Sequence, residues 1–480
     1  MTVASFAGQA GLPTADSTKS FWHKDPSKLL FGHRTTSPLP SKADLVIVGS
    51  GISGACAARF LHQNDAGKDL DVVMLEAREA CWGATGRNGG HCQPFLYGKS
   101  NDIAAFELRN YQTVKALVEE RQIPCDWRSF AGCHGFMNES MFSIAVQEIN
   151  ALRESDPELA KLVKVITKES TNPSLEDLRI PTAAGAIVQA NAASLWPYKL
   201  VSWILEDLLS SNSEGGKFNL QTNTPVTHLQ KADGSWIVHT SRGMIATERV
   251  LLATNAYTSH LLPKFSDLIV PVRGEMSALL PPASMSPASI THQPLQNSYV
   301  FVGHGKQNIN QDDYLVQRPF VPSSTAKERG GELMFGGGRS YAAKSGVGVS
   351  DDSSIDEPAA AYLRQELNVV LDLQNKDHEL EATYEWSGIM GYSRDGHPWV
   401  GEVNDELDLG GGAGLWLCGG FTGHGMPNTC LCAKAAVELM MGMKEEEVDL
   451  PQSYRVNRER VERARSLDEV HIADEKGIAL

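Results

Sequence analysis

Residues 45–48 (Leu-Val-Ile-Val) form an unbroken apolar run, the pattern of a strand buried on both faces of a parallel sheet. Glycines then interrupt it, and from Ile52 to Gln63 apolar positions recur at helical spacing. The stretch "DLDVVMLEAR" predicts a second buried strand ending at Glu76, so strand, glycine turn, helix and strand make one βαβ unit. Residues 101–123 and 141–170 read as helices, and 217–256 alternates short strand-like runs with turns. Residues 266–345 hold strand-like pieces beside glycine or proline, as in an antiparallel sheet. A helix over 356–376, a buried strand in "GLWLCGG" and a helix over Met426–Met443 follow. The polar start, with its aromatic island "SFWHKDPSKLLFGH", predicts an arm packed on the body. The charged stretch after Leu450 predicts a surface tail.

Glycine-punctuated strand–helix units at both ends, with helices and a second sheet between, predict a discontinuous nucleotide-binding domain carrying an inserted substrate domain. The expected division is an arm over 1–42, a nucleotide-binding domain over 43–100, 190–262 and 390–450, a substrate domain over 101–189 and 263–389, and a tail over 451–480. A chain of 480 residues is too long for one core. A net charge of −15 argues against nucleic acid or an anionic membrane as partner. No apolar run approaches the ~20 residues that span a bilayer, and residues 1–20 lack a secretory pattern. The last residues, "KGIAL", differ from the peroxisomal signal. The eight cysteines show no Cys-x-x-Cys pair and no metal spacing, so reduced thiols, a cytoplasmic location and no metal are expected. Cys430 and Cys432, in an apolar helix-like run, read as buried structural thiols.

The strongest local signal is Gly49-Ser50-Gly51-Ile52-Ser53-Gly54, between strand and helix. The first glycine makes the turn, the second admits a pyrophosphate, and the third lets helix pack on strand. The helix N-terminus offers N–H groups to the phosphates. Glu76 lies 76 − 54 = 22 residues on, where a carboxylate can accept ribose hydroxyls, with Ala77 and Arg78 beside it. This fingerprint does not separate NAD from FAD. A second glycine-rich stretch, "GATGRNGGHCQP" (Gly83–Pro94), demands more backbone freedom than a plain turn.

The motifs "VIVGSGISGACAARFL", "VVMLEAR", "GATGRNGGH", "LLATNAYT", "PVRGE", "DYLVQRP", "EWSGIMGYSRDGHPWVGE" and "GGFTGHGM" cover most of the chain. In their order it resembles the FAD-dependent oxidoreductases of the D-amino-acid-oxidase/glycine-oxidase/sarcosine-oxidase superfamily, most nearly the γ-glutamylputrescine-oxidase-like branch and its fungal relatives. The resemblance implies an α/β fold: a Rossmann-like FAD-binding domain with an inserted α+β substrate domain built on an antiparallel sheet. It implies that Ala84, Thr85, Gly86, Asn88, Gly89, Gly90 and His91 line the cofactor, that Arg78 approaches its adenosine or pyrophosphate end, and that Thr254 and Asn255 sit near the phosphates. Val226 either pairs its backbone with adenine or is an ordinary strand residue; Arg87 is a cofactor contact or a structural ion pair. The resemblance further implies that Gly420, Phe421, Gly423, His424, Gly425 and Met426 form a turn whose N–H groups face the flavin pyrimidine, with His424 adding charge or packing, and that Trp386, Gly388, Asp395 and Gly396 surround the same ring. His91, Arg273, Tyr314 and His424 are the candidate catalytic residues, with Arg318 beside them in the inserted sheet.

Two departures from the resembled family bear on function. The cysteinyl flavin link of monomeric sarcosine oxidases is absent from "GIMGYSRDG", and Arg87 stands where sarcosine dehydrogenases carry their linking histidine, which leaves His91 as the one candidate tether. Pro427 occupies the place of the lysine that holds a substrate carboxylate in sarcosine oxidases. The expected activity is therefore FAD-dependent oxidation of the C–N bond of a small-molecule amine or N-substituted amino compound to an imine, with molecular oxygen as acceptor. A dehydrogenase feeding a carrier, an FAD monooxygenase and a non-catalytic flavin-binding protein are the alternatives. The sequence leaves oligomeric state open.

Overall fold

The computed structural model of the protein describes residues 8–211, 217–285, 294–303, 312–321, 330–375 and 379–467. The apolar run lies in strand Lys42–Val48, near the middle of a sheet. It pairs in parallel with Val72–Leu75 on one side and Gly243–Leu252 on the other. Phe218–Gln221 and Leu415–Gly419 extend the parallel ladder outward. Trp399–Glu402 closes one edge antiparallel, and the hairpin Val226–Ala232/Ser235–Thr240 hangs on Gly243–Leu252. Leu45, Val46 and Ile47 are fully buried, each worth about 1.5–3 kcal/mol relative to exposure.

Helix Ile52–Gln63 packs on helices Thr429–Met440 and Pro197–Ser211. The close approach rests on small buried side chains: Ala55, Cys56 and Ala58 on one helix, Cys430, Cys432, Ala433 and Ala436 on another. Cys430 and Cys432 are buried as expected, and the other six cysteines are buried as well.

A second sheet runs in the order Ala382–Ser393, Ile269–Leu279, Leu333–Gly337, Asp312–Gln317, Asn297–Val302, Arg128–Phe136, Gly185–Ser194 and His91–Cys92. Val163–Ile166 pairs separately with Gly185–Ser194. Every pairing is antiparallel except Asn297–Val302 with Arg128–Phe136. The fold is the expected Rossmann-like parallel sheet joined to an antiparallel one.

Three local expectations need correction. The helix over 141–170 is instead Glu139–Ser155, a short turn Pro157–Ala160, and then a strand. Asp156 caps a new start by accepting from Glu158 N and Leu159 N, and Val-Lys-Val-Ile then finds a strand partner, which overrides its helical spacing. Residues 426–428 form a turn before the helix that begins at Thr429. The stretch after Leu450 is not a surface tail as far as residue 467, because Tyr454, Arg460, Val461 and Ala464 are buried. Arg460 pairs with Asp395 at 2.8 Å and lies 3.7 Å over the Trp399 ring. Residues 468–480 of that tail, and 1–7 of the arm, lie outside the described residues. The arm packs on the body as expected, with Phe21 and Trp22 each 1% exposed.

Candidate active site

A cavity of about 1210 Å³ is lined from both sheets. That exceeds the ~300–1,000 Å³ of a typical small-ligand site and leaves room for a dinucleotide beside a second molecule. At one end are Gly49, Ser50, Gly51, Ile52 and Ser53, with Glu76, Ala77, Arg78 and Val226. Helix Ile52–Gln63 starts there behind Gly51, which supplies no side-chain cap, while Thr85 Oγ1 accepts from Ile52 N at 3.1 Å. Gly54 lies behind the wall: a Cβ there would stand 2.0 Å from Gly49 O, so its lack of a side chain lets helix meet strand. Glu76 faces the cavity and accepts from Ser50 N and Ser50 Oγ at 3.1 and 2.6 Å. These features suit the diphosphate and ribose of FAD.

The glycine-rich loop forms a single turn, Ala84–Arg87, followed by strand His91–Cys92. Ala84, Thr85, Asn88, Gly89 and His91 line the cavity; Gly86 and Gly90 do not. Their economy comes from the protein itself. A Cβ on Gly86 would meet Cys81 O at 2.2 Å, and one on Gly89 the Tyr314 ring at 2.3 Å. Gly90 has φ +71° and faces Leu195 O at 2.4 Å. The N-terminal arm clasps the same loop: Ser20 Oγ donates to Gly86 O at 2.7 Å and Trp22 Nε1 to Asn88 O at 2.5 Å. Trp386 sits behind the loop, not on the cavity, and donates to Arg87 O at 2.7 Å.

Arg87 makes a structural ion pair and also lines the cavity, so both of its expected roles stay open. It donates to Ser387 O and Thr18 O at 2.7 and 2.6 Å and lies 3.3 Å from Asp352. Burial, opposed by Asp352, brings its guanidinium down to about 10. Arg78 grips both oxygens of the same fully buried Asp352 at 3.0 Å. One carboxylate thus serves two guanidiniums beside the diphosphate end.

At the other end stand Gly388, Met390, Tyr392, Phe421, Gly423, His424, Gly425 and Met426, with Asp395 and Gly396 nearby. Gly420 does not line the cavity. Thr254 and Asn255 do, and Asn255 Oδ1 braces the turn by accepting from Gly420 N and Phe421 N at 3.0 and 3.3 Å.

The candidate catalytic residues divide. Arg273 and Arg318 lie off the cavity lining. Arg273 is among Glu275, Asp356 and Ser354, and Arg318 pairs with Asp126 at 2.9 Å among the rings of Phe21, Trp22 and Trp196. Tyr314 lines the cavity, but its hydroxyl accepts from Gly89 N at 3.0 Å and touches Met276 Sδ. His91 Nε2 meets Ser298 Oγ at 2.8 Å, and the Gln93 side chain also hydrogen-bonds the ring. Burial, with His134 and His424 near, pushes the His91 ring down to about 3. His134, likewise lowered to about 3 by burial, meets Gln93 at 2.7 Å and Tyr97 at 2.5 Å.

Glu107 was not anticipated. It is 1% exposed, yet its oxygens receive four donors: Lys99 Nζ at 2.8 Å, Asn428 Nδ2 at 3.2 Å, His424 Nε2 at 2.9 Å and Phe95 N at 2.8 Å. Burial alone would raise its carboxyl; His424 and Lys99 outweigh burial and hold it at about 2. Arg339, also unanticipated, lines the cavity with its guanidinium 5.2 Å over the Tyr392 ring. Among the described residues no helix is long and apolar enough to cross a membrane, and no His/Cys/Asp/Glu group could hold a metal.

Comparison with known proteins agrees with this geometry. A probable oxidoreductase OrdL of Rhizobium meliloti (strain 1021) is 24% identical over 433 residues, 87% of each chain. The gamma-glutamylputrescine oxidoreductase of Escherichia coli (strain K12) is 23% identical over 419 residues, 84% of each chain. Among solved structures, glycine oxidase from Geobacillus kaustophilus superposes with a TM-score of 0.66 at 19% identity, over 87% of this chain and 99% of that one. L-amino acid deaminase from Proteus vulgaris gives 0.65 at 17%, over 89% and 97%. The FAD-dependent oxidoreductase (DAO) family model matches residues 44–439, nearly the whole span of both sheets, and the protein belongs to that family of FAD-dependent enzymes of the amine- and amino-acid-oxidase type.

Proposed function

We propose that the protein oxidises the C–N bond of an N-substituted amine, of which γ-glutamylputrescine is the type, with molecular oxygen as acceptor. The carrying observation is Pro427, which lines the cavity directly after the Gly-His-Gly-Met turn and offers no cation for a small amino acid. The relative named for γ-glutamylputrescine supports the class. Arg339 supports a substrate with an anionic group set apart from its amine, since a guanidinium can hold a carboxylate by two parallel hydrogen bonds.

In this reading the turn Gly49–Gly54 and its helix hold the FAD diphosphate, Glu76 the ribose, and Val226 the adenine. The 84–91 loop and the 421–426 turn hold the flavin ring. FAD supplies the acceptor for the hydride that leaves the carbon next to nitrogen. The chain supplies orientation and exclusion of water: Tyr314 pins the glycine loop, and Asn255 braces the turn. Hydrogen-bonded to Ser298 and Gln93 and held neutral by burial, His91 serves as a neutral wall and not as a covalent tether.

Anaerobic mixing with γ-glutamylputrescine should bleach the flavin, and air should restore it with one peroxide per turnover. Bleaching by sarcosine in preference would overturn the substrate class; restoration without peroxide would favour a dehydrogenase. Acid precipitation should leave the yellow colour in the supernatant.

A further inference from the structure

Three histidines at the cavity, His91, His134 and His424, stand close enough to feel one another, and they are not equivalent. The His91 and His134 rings meet only neutral partners. His424 alone meets a carboxylate. Glu107 receives four donors on two oxygens, which is the pattern of an ionised, acceptor-only group. The proton between His424 Nε2 and Glu107 Oε2 therefore belongs to the histidine. This fixes the tautomer: Nε2 carries hydrogen, and Nδ1 carries the lone pair. His424 Nδ1 makes no hydrogen bond among the described residues, and the side chain keeps 27% exposure on the cavity lining. Phe95 stacks on the ring at 4.5 Å, a face that favours a cation.

We propose that Glu107 and His424 form a catalytic dyad in which His424 Nδ1 takes the proton from the substrate's ammonium group and Glu107 is the positioning residue. This rests on the amine-oxidising reading above. An N–H bond of the ammonium breaks, an Nδ1–H bond forms, and the lone pair left on nitrogen permits loss of hydride from the neighbouring carbon. No electron changes hands in this step. The division of labour is that of a carboxylate that orients an imidazole and stabilises its cation without being protonated. Lys99 shares the carboxylate and keeps the pair from becoming net negative. The other titratable groups near the dyad are His91, Cys92 and His134 on the second sheet, Cys432 on helix Thr429–Met440 and Tyr454 from the C-terminal segment, all held neutral by burial.

Two measurements on the holoenzyme test this. First, the ring carbon signal of His424, assigned by its loss in H424N, is followed against pH in the wild type and in E107Q. The neutral ring of the wild type should show the Nε2–H tautomer, and E107Q should lose that bias, since an amide can meet either tautomer. An Nδ1–H tautomer in the wild type, or the same tautomer balance in E107Q, overturns the dyad. Second, flavin bleaching by γ-glutamylputrescine is timed from neutral pH upward. H424N should be slower by about 10²–10⁴-fold at neutral pH and should recover as pH nears ~10, where the free amine predominates without help. A deficit constant with pH means a structural role and overturns the proposal; no deficit does so as well. If γ-glutamylputrescine bleaches neither protein at any pH, the substrate reading fails, and the resonance titration still decides the dyad.

Discussion

Glu107 and Glu275 are the same side chain at almost the same depth, 1% and 5% exposed, on two walls of one cavity. Their surroundings push the two carboxyls in opposite directions. Glu107 draws donors from a preceding loop, a distant turn and the backbone, and its carboxyl is held at about 2. Glu275 accepts from Asp356 N at 3.1 Å, while its second oxygen has no hydrogen-bond partner among the described residues. Its paired cation, Arg273, stands 3.6 Å away and is shared with Asp356, while Arg87 acts from farther off. Burial pushes the Glu275 carboxyl up to about 8, against the Asp356 N–H and Arg273. Depth therefore does not decide ionisation; the number and placement of donors do. Arg273 and Glu275 lie two apart on one strand, where neither can turn squarely to the other. Glu107 meets groups delivered from separate elements, each free to approach along its own direction.

The largest blow to this contrast is E107A. It leaves Lys99 and His424 without their carboxylate and two N–H donors unmet, and should cost about 3–5 kcal/mol in urea unfolding at pH 7. A loss below about 1 kcal/mol would mean that the cations never depended on it. Next comes acid. The folded Glu107 carboxyl lies below its ordinary 4.5, so its stabilisation is whole above that pH and is lost as pH falls through about 2. The wild type should shed about 3 kcal/mol over that window that E107Q does not. The smallest effect is alkaline and of opposite sign. Glu275 is raised when folded, so stability is fullest below 4.5 and declines as pH climbs through about 8. Between pH 7 and 9 the wild type should lose about 1 kcal/mol that E275Q keeps, read as a difference in Tm. Parallel loss in both proteins would place Glu275 with ordinary carboxylates.

The same contrast separates what was legible in the sequence from what was not. Gly49 to Gly54 and Glu76 could be read because their roles are set by neighbours within one βαβ unit. The partners of Arg273 could not, since Asp356 and Ser354 come from a stretch some eighty residues downstream, and Arg273 lies off the cavity beside them. Glu107 escaped notice as one more charge on a helix. A signal was present, however: Ile103, Phe106, Tyr111, Val114 and Val118 define the buried stripe, and Glu107 and Asn110 fall on it. Polar residues at apolar positions of a helix need partners, and here the partners are His424 and Met426 of the glycine turn. Asp352, in an irregular stretch between the second sheet's strands, offered no pattern at all, since its worth lies wholly in two arginines nearly three hundred residues earlier.

That separation has a consequence for how the protein is made. The loop after Gly83 is locked by Thr18 before it and by Asp352 and Ser387 after it, the last 300 residues downstream of Arg87. At ribosomal rates of about 5–20 residues per second, that interval is roughly 15–60 s. During this time the nascent first unit carries its nucleotide fingerprint complete, while Arg78 and Arg87 wait for the carboxylate that will bind them. The glycine-rich loop is thus finished late in the life of the chain, by the arrival of its 350s and 380s and not by the emergence of its own glycines.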